Sequence, residues 1–357
     1  MSIVHVVAVL VVLLLLAFIT EPVARWLRMP YASMLVIAGF VASELAVFSG
    51  IDTGIHAGNF HDLVFYVFIP LLVFESAYKI NTRLLLVNFI PVITLAIVGM
   101  LVTASLTALG LYYGIAHPAG FPFIAALLTG AIVAATDPVA VVARLRETGA
   151  PEKLGVLLEG ESLFNDATAI VLFGLFLSMA LSLDSAVSIP AVVIEFLKIF
   201  IGGMVTGLVT GLLAGVIAKL VNDNMMNSIL TLAVAYGAYL LAEEIFGVSG
   251  VMSTLAAAMV MSSLLAKDAA GDNAADNDQL WNVMGHVANA MVFLIMGVTI
   301  TLGMFEERWL AMLIAIGAVL IARAISIYGC LSFIGLFQSK PIDLRCQAMM
   351  VWGGLRG

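Results

Sequence analysis

Charged residues are scarce in this sequence. Asp, Glu, Lys and Arg make up 11% of its 357 residues, where a soluble domain carries about 25%. That scarcity excludes a soluble enzyme and a disordered chain. Positive charge is scarcer still: 15 Lys and Arg stand against 23 Asp and Glu, for a net charge of −8. No basic footprint for nucleic acid exists. The two cysteines, Cys330 and Cys346, lie in apolar surroundings and imply no disulfide framework. The histidines are His5, His56, His61, His117 and His286. They form no cluster with metal-ligand spacing, and no cofactor is expected.

What is present is apolar length. Apolar residues are 63% of the chain, more than a soluble globule of this size can hide. The composition predicts an all-α polytopic membrane protein. A spanning helix needs about 20 mostly apolar residues, and about twelve ranges qualify. They run near 3–20, 31–49, 62–79, 88–114, 121–143, 154–182, 190–218, 227–246, 249–265, 282–304, 309–336 and 343 to the end. The first lacks a basic start and a small-residue cleavage site, so it reads as a helix. No sustained strand-like alternation suggests a barrel. The stretch Lys267–Gln279 reads as a solvated loop. His286 reads as a helix-end residue near the start of the tenth range. The glycines from Gly202 to Gly215 imply close helix packing.

Loop charges orient the chain. Numbered from the amino end, the odd loops hold Arg25, Arg28, Lys79, Arg83, Arg144, Arg146, Lys153, Lys219, Lys267, Lys340 and Arg345, and the even loops hold Arg308. By the positive-inside rule the odd loops are cytoplasmic and the amino terminus is outside; a plasma (inner) membrane is the expected location.

Ionisable residues inside spans are costly and mark functional sites. They cluster here. The third range carries Glu75, the fifth Asp137, the sixth Glu159, Glu161 and Asp166, and the eleventh Arg323. On a helix Glu159, Ser162 and Asp166 share one face and Glu161 and Asn165 form an adjacent one, so a hydroxyl and a carboxylate face one site while Glu161 points to a neighbouring helix. Arg323 can neutralise one acid and no more, so the surplus points to a bound cation or proton. Pro138 should break the fifth helix near Thr136 and Asp137. Carbonyls freed there need new partners, and broken helices at the midplane are ion sites of secondary transporters. Carboxylate, hydroxyl and carbonyl oxygens suit alkali and alkaline-earth ions. Glu195 and Lys198, three apart, read as a structural pair.

Several sequence segments resemble the monovalent cation:proton antiporter family that includes prokaryotic NhaP and animal NHE exchangers. They are Phe68-Ile-Pro-Leu-Leu-Val-Phe-Glu75, Ala135-Thr-Asp-Pro-Val-Ala-Val141, Glu161-Ser-Leu-Phe-Asn-Asp166, Ala322-Arg323 and Gly353-Gly-Leu-Arg-Gly357. The resemblance implies an inverted-repeat fold with crossing broken helices, assembled as a homodimer. It implies an ion-transporting core at 88–182 and 309–357, and dimerisation, scaffold and linker helices at 1–80 and 190–304. It implies Na+, with Li+ or K+ as alternatives, bound by Asp166, Asp137, Ser162, the Thr136 carbonyl and, through water, Glu75, with Asn165 beside Asp166. It further implies a buried Glu161–Arg323 ion pair, contributions from Pro138 and Arg356, and exchange of one cation for one proton. Gly353–Gly357 leads, in the family, into the rest of a broken span. The second crossing helix is therefore expected to be incomplete in this chain, and a truncated, non-transporting product is the second expectation. A K+/H+ antiporter, a passive cation channel and an intramembrane aspartyl protease using Asp137 and Asp166 are the other readings. The protease lacks a Gly-x-Gly-Asp context.

Overall fold

The computed structural model describes residues 3–49, 61–115, 121–181, 189–221, 223–265, 273–300, 302–336 and 342–354. No strand occurs among them. In a bilayer a chain must satisfy its own backbone, and helices do so locally. In order they are α1 (Ile3–Leu27), α2 (Tyr31–Phe48), α3 (Ile69–Lys79), α4 (Thr82–Val87), α5 (Phe89–Ile93), α6 (Met100–Gly114), α7 (Phe123–Ala134) and α8 (Val139–Glu147). Then come α9 (Glu152–Leu181), α10 (Ile189–Val221), α11 (Asn224–Leu240), α12 (Gly250–Leu265), α13 (Asn273–Thr299), α14 (Leu302–Gly335) and α15 (Leu344–Gly353). Three π-helical turns, Leu63–Phe68, Thr94–Gly99 and Leu241–Phe246, join or extend these helices.

Each of the ranges read from the sequence contains helix among its described residues, and the molecule is a multi-pass membrane protein. Length and hydropathy qualify 8 helices to cross a membrane, with Phe123–Ala134 and Gly250–Leu265 as shorter apolar helices. Exposed apolar side chains such as Phe18, Leu213 and Ile321 cover the outer faces, as lipid contact requires.

Three sequence expectations need correction. The stretch Lys267–Gln279 is not all loop, because α13 begins at Asn273; residues 267–272 lie outside the described residues. A helix start accommodates polar residues, since its first N–H groups lack intrahelical partners. His286 is therefore mid-helix rather than at a helix end, and its ring stacks on Tyr31 with centroids 5.4 Å apart. Arg25, Arg144, Lys219 and Arg308, expected in loops, lie within helices. The helices outrun the bilayer: the 34 residues of α14 extend about 50 Å at 1.5 Å per residue, against an apolar core of about 30 Å.

The helices pack as two sets. In one, α2 lies on α13, α3 on α12 and α13, and α10 and α11 on α12. In the other, α6 lies on α7 and α14, and α9 lies on α7, α5 and the π-helical turn Thr94–Gly99. α9 also touches α3, α10 and α12, so it borders both sets. Trp281 of α13 is fully buried, stacks on Phe74 with centroids 4.5 Å apart, and donates from Nε1 to Thr231 Oγ1 at 3.2 Å. It fixes α3, and so Glu75, within the first set.

The glycines of α10 allow its closest contact. Gly203 faces Ser249, just before α12, and Gly207 and Gly211 face Ser253 and Ala257 within it; a Cβ at Gly211 would stand 2.8 Å from the Ala257 Cα. Small residues let backbones approach where lipid gives no hydrophobic drive. Gly207→Val should therefore cost about 1–3 kcal/mol by overpacking and lower the midpoint of thermal unfolding. Gly237→Ala, at a position with nothing within 4 Å, should leave that midpoint unchanged. Equal midpoints for the two variants would refute this account of the seam.

Candidate functional site

The fifth apolar range breaks where Pro138 predicts. α7 stops at Ala134, Ala135 is extended (φ −62, ψ 142), and α8 begins at Val139. Proline disfavours helical geometry in the residue before it, here Asp137. Its own carbonyl accepts the first bond of the new helix, from Val142 N at 2.8 Å. Between the two half-helices Thr136 is buried and Asp137 is exposed.

The broken backbone is met by α9. Ser162 Oγ donates to the Thr136 carbonyl at 2.5 Å, and Asn165 Nδ2 donates to Thr136 Oγ1 at 2.9 Å. Ser162 and Asn165 are three apart, so one turn of α9 meets one residue of the break. All three side chains are buried, and Asp166, next along α9, is half-buried. The Oδ1 of Asn165 is buried and finds no hydrogen-bond partner among the described residues. Thr136, Ser162 and Asn165 thus gather carbonyl, hydroxyl and amide oxygens, with the carboxylate-bearing Asp137 and Asp166 as their chain neighbours. That is a hard-oxygen donor set.

Glu161 turns away, as its helical position requires. It accepts from Arg323 Nη1 of α14, and both side chains are buried, at 1% and 6% exposure. Desolvation makes such a pair costly to form and more costly to break. Gly354, just past α15, presses its backbone on the guanidinium; a Cβ there would collide with it. Beside the pair, a cavity of about 400 Å³ is lined by Thr103, Ala135, Thr136, Val319, Arg323 and Gly354. Arg323 Nε and Nη2 and Glu161 Oε2 have no hydrogen-bond partner among the described residues. The π-helical turn Thr94–Gly99, invisible in the sequence, helps seat α14: Gly99 O accepts from Ser326 Oγ at 2.6 Å and from Thr103 Oγ1 at 2.9 Å.

Glu75 sits apart from Thr136 in its bonding. It is half-buried on α3, ion-paired with Lys79 one turn on, and accepts from Ser76 Oγ at 3.3 Å. Gly285 of α13 makes room for it: a Cβ there would stand 2.7 Å from the carboxyl carbon. The i,i+4 spacing of Glu75 and Lys79 was the available signal for this pair. Glu195 and Lys198 do pair, at 3.0 Å on an exposed face. Arg356 lies outside the described residues.

The model of the transmembrane sodium/hydrogen exchanger family matches residues 10–357. The chain belongs to the sodium/hydrogen exchanger family. It is 33% identical over 92% of its length to the Na(+)/H(+) antiporter ApNhaP of Aphanothece halophytica, covering 61% of that protein. It is 31% identical over 96% of its length to sodium/hydrogen exchanger 7 of Arabidopsis thaliana, covering 31% of that protein. This exchanger-family chain thus spans under two thirds of the length of these relatives. Its fold matches that of the sodium proton antiporter MjNhaP1 of Methanocaldococcus jannaschii. The TM-score is 0.79 at 21% identity, over 100% of this chain and 84% of the other.

Arg323→Ala leaves Glu161 buried and uncompensated, and should cost about 3–5 kcal/mol. Replacing both partners with apolar residues, Glu161→Leu with Arg323→Met, should recover most of that loss. Thermal unfolding of the purified protein measures both. An Arg323→Ala variant as stable as the parent would overturn the burial argument.

Proposed function

We propose that the chain is the membrane part of a secondary active antiporter that exchanges Na+ for H+. One observation carries the reading. The interrupted backbone at Thr136 is held by Ser162 and Asn165, on the helix turn that ends in Asp166. Oxygens at this locus replace water around a monovalent cation, and Asp166 supplies the charge that selects for it. A proton satisfies the same carboxylate. Competition for one group couples two fluxes without an energy source beyond the gradients. Asp137 adds a second carboxylate at the break. The Glu161–Arg323 pair ties α9 to α14, so the site moves as a unit.

The finer reading follows the same residues. One carboxylate that trades one cation for one proton moves no net charge. The set built on α6, α7, α9 and α14, within 88–182 and 309–357, is the moving core. The set within 1–80 and 190–304 is the scaffold, and two scaffolds form a homodimer in the plasma membrane. The basic loops face the cytoplasm and the amino terminus faces out. Sodium export and pH homeostasis are the roles this activity suits. Li+ and K+ meet the same oxygens with different radii.

The test uses the full-length protein in proteoliposomes. Asp166→Asn should reduce Na+-driven proton flux to the empty-liposome background, and Asp137→Asn should do likewise. Glu195→Gln, which alters only an exposed pair, should leave flux intact. Retained exchange in Asp166→Asn would sink the proposal.

A further inference from the structure

We propose that the hydrogen bond from Asn81 to Glu152 is a latch across the mouth of a cleft leading along α9 toward Asp166. The inference rests on the antiport reading of that site and assigns it an access control.

Ile80 and Asn81 join α3, of the first set, to α4, which touches both α9 and α12. α3 ends at Lys79 against α12 and α13, Ile80 is extended (φ −66, ψ 140), and α4 begins at Thr82 against α9. Asn81 does two things at this junction. Its Oδ1 accepts from Leu84 N at 3.1 Å and caps α4. Its Nδ2 donates to Glu152 Oε1 at 3.0 Å. Glu152 is the first residue of α9, the helix that carries Ser162 and Asp166. A single planar amide thus joins this connection to the end of the site-bearing helix.

Both partners line one cleft of about 290 Å³, together with Lys79, Val142, Gly155 and Glu159. Along α9 the lining runs from Glu152 to Glu159, and Glu159 shares a helix face with Ser162 and Asp166 two turns further on. Both latch partners are exposed. A hydrogen bond of this kind, in contact with water, has a small net strength, which suits a contact that opens and closes repeatedly. It requires an amide at position 81: a carboxylate there still caps α4 but has no proton to offer Glu152.

The experiment reads access to the cleft directly, without transport. The full-length protein carries Cys330→Ser, Cys346→Ser and Gly155→Cys, whose Cβ meets Val142 Cγ1 at an ordinary 3.7 Å. A membrane-impermeant maleimide is applied from the side that exposes Lys79 and Glu152. Adding Asn81→Asp should speed labelling about three- to tenfold, the range that loss of one such bond implies. Adding Glu152→Gln to Asn81→Asp reverses donor and acceptor and should return the rate to within about twofold of the parent. An unchanged rate in Asn81→Asp, or no return in the double variant, overturns the latch. Should Asn81→Asp fail to fold, Glu152→Ala keeps the cap on α4 and carries the same expected increase. Measuring Na+-driven proton flux of the parent in proteoliposomes beside the labelling series separates the two ideas. Labelling that still follows the latch while the parent shows no exchange condemns the antiport reading; exchange in the parent with flat labelling condemns the latch.

Discussion

A helix that stops inside an apolar protein strands carbonyl and N–H groups in a medium that offers them nothing. The stop at Ala134 is tolerated because α9 brings a hydroxyl and an amide to Thr136. Pro138 forbids a continuous helix here, so without Ser162 the Thr136 carbonyl, and without Asn165 the Thr136 hydroxyl, would lose the partner that α9 gives it. The break and its partners are one arrangement, and the carboxylates lie where that arrangement puts them. Asp166 follows Asn165 in sequence, and Asp137 follows Thr136.

α9 manages this because its faces are divided. One face turns Ser162 and Asn165 to the break, another sends Glu161 to Arg323 on α14, and the first turn offers Glu152 to Asn81. These polar side chains therefore tie the helix to three separate places: the break at Thr136, Arg323 of α14 and Asn81 before α4. The helix is held in rotation as well as in position: a turn of one residue, about 100°, would unpair all three contacts together. Such over-determination explains how a buried charge pair persists where apolar residues would cost less to bury.

Much of this was legible in the residues. Apolar runs gave the helices because their length has few other uses. Pro138 located the break, since its consequence is local and steric. The direction of Glu161 followed from helical spacing alone. Other features were not legible for definable reasons. A π-helical turn changes which carbonyl a given N–H reaches, and composition carries no trace of that shift; Thr94–Gly99 is such a turn. The polar start of α13 looked like a loop because hydropathy marks the bilayer edge and not the helix end, which also misplaced His286. Asn81 and Glu152 are 71 residues apart, and no local pattern joins residues so distant.

The seam between α10 and α12 has a mechanical meaning. At Gly207 and Gly211 the neighbouring atoms are backbone of Ser253 and Ala257, so there the two rods touch backbone to backbone. Rods that can slide along each other bend independently, whereas rods joined along their length bend as one thicker beam. With its 33 residues, α10 is among the longer helices, and a lone helix of that length curves readily. Joined to α12 it becomes a strut. Changes in bilayer thickness or lateral pressure then reach the neighbouring helices as tilt of a stiff body, not as bending lost along the way.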